Sequence, residues 1–166
     1  MQKKIYSGKI IGLSVHDVTI QGRQTTREII DYPGAAAILA IDDNSQVILV
    51  KQDRYPHGYT LEVPAGTLNK GEEPKECAVR ELREETGMLA KSMDYMFSYY
   101  PSIGYNSEII HCYIAKGLED TKIQDTDPDE FIDIVKMDYN KVIEEIKNGN
   151  IRDSKTICSV LFFSHL

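Results

Sequence analysis

Residues 74–86 constrain this chain more than any other stretch. They contain no internal breaker and are filled with good helix formers. Pro74 suits the first turn of a helix, where its missing N–H costs nothing, and Gly87 suits the left-handed residue that ends one. Stepping about 100° per residue from Glu81, Glu84 lies roughly 60° to one side and Glu85 roughly 40° to the other, so their carboxylates share one sector. Ala78, Val79, Leu82 and Thr86 fall beside that sector, in an arc as wide as a core-facing stripe. Glu76, Arg80 and Arg83 take the remaining side. A fold that buries the stripe must hold three like charges at the edge of its core. Repulsion between such charges costs a few tenths of a kcal/mol in water, and more where water is excluded. Arg80 can pair with Glu84, but one cation cannot neutralise three carboxylates. Hard divalent cations with oxygen ligands can. The helix alone leaves a second reading open, a solvated face rich in Glu and Arg.

The rest of the composition bounds the partners. A chain of 166 residues with 42% hydrophobic residues holds enough apolar material for one compact domain, with room for a small appendage. Its net charge of −7 argues against nonspecific nucleic-acid binding, which needs a basic surface to displace counterions. The same charge would repel a phosphate substrate unless bound cations intervened. Cys77, Cys112 and Cys158 are odd in number and widely spaced, which fits buried thiols in a reducing compartment better than a disulfide framework or a metal pair. No apolar run is long enough to span a membrane, and the start does not read as a signal peptide. These features predict a soluble, cytoplasmic protein without a membrane or nucleic-acid partner.

Turn formers divide the chain. Alternating β-branched and polar residues over 5–11, 13–20 and 25–30 predict an antiparallel meander, with turns at Gly12, His16-Asp17 and Gln21-Gly22. Pro33-Gly34 marks a boundary, which separates residues 1–33 from 34–166. Strands follow over 35–41 and 46–50, joined at Asp42-Asp43-Asn44, and again over 59–63. After the helix at 74–86, strand character returns over 95–100, 108–115 and 131–137. Two helices finish the chain, one over 140–147 and one capped by Asp153. The class is α+β. The four histidines show no ligand-like spacing.

The surroundings of the helix separate the two readings of its charges. Gly66, Glu72, Arg80, Glu81, Leu82, Glu84, Glu85, Gly87 and Met88 resemble the Nudix box, Gly-x5-Glu-x7-Arg-Glu-U-x-Glu-Glu-x-Gly-U, at every fixed position (U is a bulky aliphatic). At ordinary residue frequencies a chance match at a given start is below about 10⁻⁸. The resemblance implies a loop–helix–loop on an α/β/α sandwich with an N-terminal antiparallel extension. It implies Mg²⁺ or Mn²⁺ held by Glu81 and Glu85, with Glu84 assisting and with Glu72 and Arg80 orienting these carboxylates.

The likeness reaches beyond the box. Glu62-Val63-Pro64-Ala65-Gly66 is similar to the entry of the ADP-ribose pyrophosphatase branch, which makes the Ala65 carbonyl a further metal ligand. By the same resemblance Arg54 contacts the diphosphate. Arg27 and Glu28 meet the adenine side, often from a partner subunit, so a homodimer is expected. The segment from Tyr100 to Glu108 resembles the branch's Ser-Pro-Gly-x-x-x-Glu loop, with Pro101 and Glu108 matching and the consensus Ser-Pro-Gly replaced by Pro-Ser-Ile-Gly. In the acidic run Asp125, Asp127, Asp129 and Glu130, Glu130 matches a glutamate that acts as base or extra ligand, with Asp129 and Glu84 as substitutes. The reaction implied is metal-dependent cleavage of the diphosphate of ADP-ribose to AMP and ribose 5-phosphate. The alternatives are another nucleotide sugar or dinucleotide as substrate, a non-catalytic nucleotide-sugar sensor, and a purely structural dimer module.

Overall fold

A computed structural model describes residues 2–124 and 131–165. Three strands, β1 (Gln2–Ser7), β2 (Gly12–Ile20) and β3 (Arg23–Asp31), form a separate antiparallel sheet. Gln21 and Gly22, both at positive φ, make the β2–β3 turn as expected. The expected turn at His16-Asp17 is not one: both residues lie inside β2, opposite Arg27 and Thr26. Val15 and Val18 on either side hold the strand register, and nothing there needs the positive φ that a tight hairpin demands. The chain reverses instead at residues 8–11, where the Gly8 N–H bonds the Ile11 carbonyl at 2.8 Å.

The second sheet has seven strands: β4 (Ala35–Ile41), β5 (Gln46–Arg54), β6 (Gly58–Glu62), β7 (Ala65–Thr67), β8 (Met88–Tyr99), β9 (Ile110–Asp120) and β10 (Asp133–Asp138). The order is β10-β5-β4-β9-β8, with β6 on β5 and β7 on β4. Among the described strand pairs of this sheet, β4–β9 alone is parallel. Helix α1 (Pro74–Thr86) covers one face, and α2 (Tyr139–Lys147) and α3 (Ser154–Phe163) cover the other. Successive strand residues face opposite ways. Accordingly Ala36, Ile38, Ala40 and Ile48 pack with Ala78 and Leu82 of α1, while Ala37, Leu39, Val47 and Leu49 pack with Val142 and Val160. A strand buried on both faces reads as an unbroken apolar run, as β4 does. The class is α+β, layered α/β/α, as the sequence predicted.

Helix α1 begins with Pro74 and ends at Gly87 (φ 66°), whose N–H bonds the Arg83 carbonyl at 2.8 Å. Its buried face differs from the predicted stripe. Val79 is 46% exposed, while Cys77, Ala78, Leu82, Glu85 and Thr86 are buried. The face has turned toward the carboxylates because the unpredicted strand β7 lies against that side. The Cys77 thiol approaches the Gly66 carbonyl at 3.5 Å and that of Thr67 at 3.7 Å. Glu85 is buried and Glu81 and Glu84 are only partly exposed, which argues against the solvated-face reading. Strand β8 also begins seven residues before its predicted start at Tyr95, directly after the helix cap.

Leu82 is fully buried between α1 and the sheet. Leu82→Ala is expected to lower the unfolding free energy by about 2–5 kcal/mol. Urea titration followed by circular dichroism measures this, and a loss no larger than that of an exposed substitution such as Val79→Ala would contradict the packing described.

Candidate active site

Glu62 ends β6, and the chain turns through Val63-Pro64 into β7, which is held on β4 by pairing of Ala65, Gly66 and Thr67 with Ala37, Ala36 and Ala35. This turn sets Ala65 and Gly66 against α1. The Ala65 N–H donates to Glu85 Oε2 at 2.9 Å, and Glu85 is 3% exposed. Gly66 is opposite Glu81, and a Cβ at Gly66 would overlap the Glu81 carboxylate. Any larger residue here would displace that carboxylate. Ala65, Gly66, Glu81 and Glu85 line a cleft of about 850 Å³, together with Arg54, Pro101 and Glu108.

Arg80 organises the carboxylates around this floor. Its Nε and Nη2 fork onto Glu72 at 2.7 and 2.9 Å, and Nη1 reaches Glu81 at 2.5 Å and Glu84 at 2.9 Å. Nη2 also donates to the Thr67 carbonyl at 3.2 Å, which ties the loop before the helix to the helix itself. The Arg80 fork holds the Glu72 carboxyl at about 2, well below the usual carboxylate range. These carboxylates in turn push the Arg80 guanidinium upward, against its burial. Burial pushes the nearby Cys77 thiol up to about 12, away from the thiolate.

Among the described residues no three His, Cys, Asp or Glu side chains meet as a ready-made metal cage. The donor chemistry still suits a hard cation, since Glu81, Glu85 and Ala65 line one cleft. Mg²⁺ is commonly held by one or two carboxylates, with water and substrate phosphates completing its shell.

On the cleft wall, Arg54 of β5 donates from Nε and Nη2 to Glu62 at 2.9 and 3.0 Å. Glu108 is in the loop after β8, where Asn106 binds its carboxylate at 3.1 Å. Burial raises the Glu108 carboxyl, against the opposing pull of Asn106 and Lys155. That loop is strapped to the end of β3, by the Ile30 N–H on the Tyr105 carbonyl at 2.7 Å and the Ser107 N–H on the Ile30 carbonyl at 3.0 Å. Pro101 and Glu108 reach the cleft through this strap. Arg27 and Glu28 are exposed on β3 and do not line the cleft of their own chain; Arg27 Nη1 bonds the Thr26 carbonyl at 2.8 Å. Glu130, Asp129 and the rest of the acidic run lie outside the described residues. The sequence reading missed Lys9, Asp153 and Lys155, which also line the cleft. No local pattern marks them, because they arrive from the β1–β2 turn and the head of α3.

Glu62 is 3% exposed and accepts from Arg54, Thr60 and Lys155. Burial alone would raise its carboxyl, but the Arg54 fork and Lys155 outweigh this and hold it at about 2. A carboxyl depressed from 4.5 contributes stability above that value and loses it as pH falls toward about 2. Glu62→Gln should therefore show a flatter fall of Tm than the parent between roughly pH 5 and 2. Thermal melts across that range test this, and parallel curves would remove Glu62 as a source of acid sensitivity.

The NUDIX domain model matches residues 31–160. The chain is 40% identical over 163 residues to the methanol dehydrogenase activator of Bacillus methanolicus, an alignment covering 96% of this chain and 88% of the relative. It is 38% identical over 164 residues to the ADP-ribose pyrophosphatase of Bacillus subtilis (strain 168), covering 97% and 89%. A solved structure described as an ADP compounds hydrolase superposes with a TM-score of 0.86 at 18% identity, over 99% of this chain and 90% of that one, and so shares its fold. The box that set three glutamates beside the core, the α/β/α layers that bury it and the near full-length likeness all agree: this chain belongs to the Nudix hydrolase family.

Proposed function

We propose that the chain hydrolyses the diphosphate bridge of ADP-ribose in the presence of Mg²⁺, with Mn²⁺ as a substitute, releasing AMP and ribose 5-phosphate. The observation that carries this reading is the meeting of Glu81 and Glu85 with the Ala65-Gly66 backbone on the floor of a cleft walled by Arg54. The likeness to an ADP-ribose pyrophosphatase along nearly the whole chain supports the choice of substrate. Glu81, Glu85 and the Ala65 carbonyl would hold the cation, which supplies charge to offset that developing on the diphosphate and acidifies the attacking water. Arg54, forked onto Glu62 through Nε and Nη2, would turn its remaining N–H groups to the phosphate oxygens. A carboxylate takes the proton of the attacking water, and Glu130 and Glu84 are the candidates. Arg80 restrains Glu84, which favours Glu130. Another nucleotide sugar or dinucleotide is the second reading, favoured by the Pro101-Ser102-Ile103-Gly104 sequence, whose proline lines the cleft.

Chelation with EDTA should abolish turnover, and Mg²⁺ or Mn²⁺ should restore it. Glu85→Gln should cost about 10³-fold or more in kcat, as loss of metal-assisted stabilisation does. Glu130→Gln should cost about 10²–10⁴-fold while leaving Mn²⁺ affinity intact, as loss of a general base does. Near-normal turnover by Glu85→Gln, assayed against ADP-ribose, NADH, FAD and GDP-mannose, would sink the assignment.

The same reading extends to assembly and compartment. Residues 1–33 serve as a dimerisation unit for a catalytic domain at 34–166, and the protein acts in the cytoplasm as a homodimer on a small nucleoside diphosphate. The separate three-stranded sheet supports this, since it leaves Ile5, Tyr6 and Ile20 about half exposed and so small a sheet is marginal alone in water. Arg27 and Glu28 would reach the partner's cleft. The free cysteines Cys77, Cys112 and Cys158 support a reducing compartment. Deleting residues 1–31 should give a monomer or aggregate with a raised KM. Light scattering decides: full activity at a mass near one 18.8 kDa chain would show that the site is built within one subunit.

A further inference from the structure

The head of α3 meets the cleft wall in a connected set of charges. Asp153 caps the helix, with Oδ2 accepting from the Thr156 N–H at 2.9 Å and from its hydroxyl at 2.6 Å. Thr156 Oγ1 in turn accepts from the Val63 N–H at 2.8 Å, which fixes the helix to the segment leading into Ala65. Oδ1 of Asp153 takes Lys155 Nζ at 2.9 Å, and the same Nζ donates to Glu62 Oε2 at 2.5 Å. Glu62 therefore serves two cations, Lys155 and the forked Arg54. Arg54, Asp153 and Lys155 line both the main cleft and an adjoining groove of about 670 Å³, so their charges are presented to both spaces.

A bidentate Arg–carboxylate pair is close to neutral and offers little attraction to a diphosphate. With Lys155 on the same carboxylate, the group of three carries net positive charge. Asp153 and Glu85 also bear on Arg54, the charge of Asp153 being partly offset by the helix N-terminus that it caps. Lys155 is felt within the cleft, since it draws the Glu108 carboxyl down against the burial that raises it.

We propose that Lys155 is a positioning residue for the diphosphate, acting through Arg54: by sharing Glu62 it leaves the arginine with uncompensated charge toward the cleft, and Asp153 tempers that charge. This rests on the diphosphate-hydrolase reading and adds to it a residue outside the box and its flanking segments.

Steady-state kinetics of the full-length protein test it, on whichever diphosphate the parent enzyme turns over, with folding checked by circular dichroism. Lys155→Met should raise KM by about tenfold with kcat within about threefold, and should flatten the rise of KM with ionic strength, because the lost interaction is a screened charge. Lys155→Arg should restore both. Asp153→Asn keeps a good cap and removes the negative charge, so KM should fall by about two- to threefold. A merely structural network predicts the opposite, with both variants impaired and the salt dependence unmoved, and that result would overturn the proposal. Should Lys155→Met not fold, Lys155→Gln with its salt dependence and the direction of the Asp153→Asn change decide the matter. Turnover by the parent with KM unchanged in the Lys155 variants rejects this proposal alone. Absence of turnover on every diphosphate rejects the hydrolase reading with it.

Discussion

Arg80 spreads one guanidinium over Glu72, Glu81 and Glu84, and the architecture of the cleft depends on that compromise. Three carboxylates at the edge of a core repel one another more strongly as water is withdrawn. Arg80 lowers that cost and at the same time locks the loop before α1 through the Thr67 carbonyl. Its charge is smaller than the sum it faces, so the arrangement retains the negative potential that a hard cation needs. Glu85 accepts from the Ala65 N–H. One helix thus carries a carboxylate held by backbone and two held by an arginine.

The sheet makes this possible by supplying rigid strands on both sides of the helix. β4 is apolar along its length, pairs with β7 over its first half and with β5 near its end, and pairs in parallel with β9 along its other edge. It therefore fixes Ala65 and Gly66 relative to the helix above them and to Ile110, which follows the Glu108 loop. The layer on the other face has a similar role for Arg54. Helix α3 packs under β4, and its cap residue Asp153 reaches up through Lys155 to the carboxylate that holds the arginine. The two helical layers meet chemically at the same cleft from opposite faces of one sheet.

Much of this was legible in the sequence because the signals are local. Pro74 and Gly87 bound α1 by restrictions on single residues, and the structure has the helix at those limits. The strand β4, the first part of β5 and the Asp153 cap follow likewise from neighbours a few residues away. Clustering of Glu81, Glu84 and Glu85 needed only the helical repeat. The errors arose where a local signal was weaker than a long-range one. His16-Asp17 resembles a turn but lies within a strand paired along its whole length with β3. Val79 has an apolar side chain at a position near the predicted stripe, yet it faces solvent because β7 occupies the neighbouring side of the helix.

By itself the sequence determined the helix, the sector of carboxylates upon it, the α+β alternation and the family to which they belong, since each depends on spacing along the chain. Only the tertiary structure decided what surrounds those carboxylates. Gly66 is opposed to Glu81 because β7 pairs with β4, and Lys155 shares Glu62 with Arg54 although 93 residues separate the lysine from the glutamate. Arg27 and Glu28 are at the sheet surface, away from the cleft of their own chain, because β3 runs past the strap at Ile30 before the chain enters the second sheet. Contacts of this kind are set by strand pairing and helix packing between distant segments, and no periodicity within either segment encodes them.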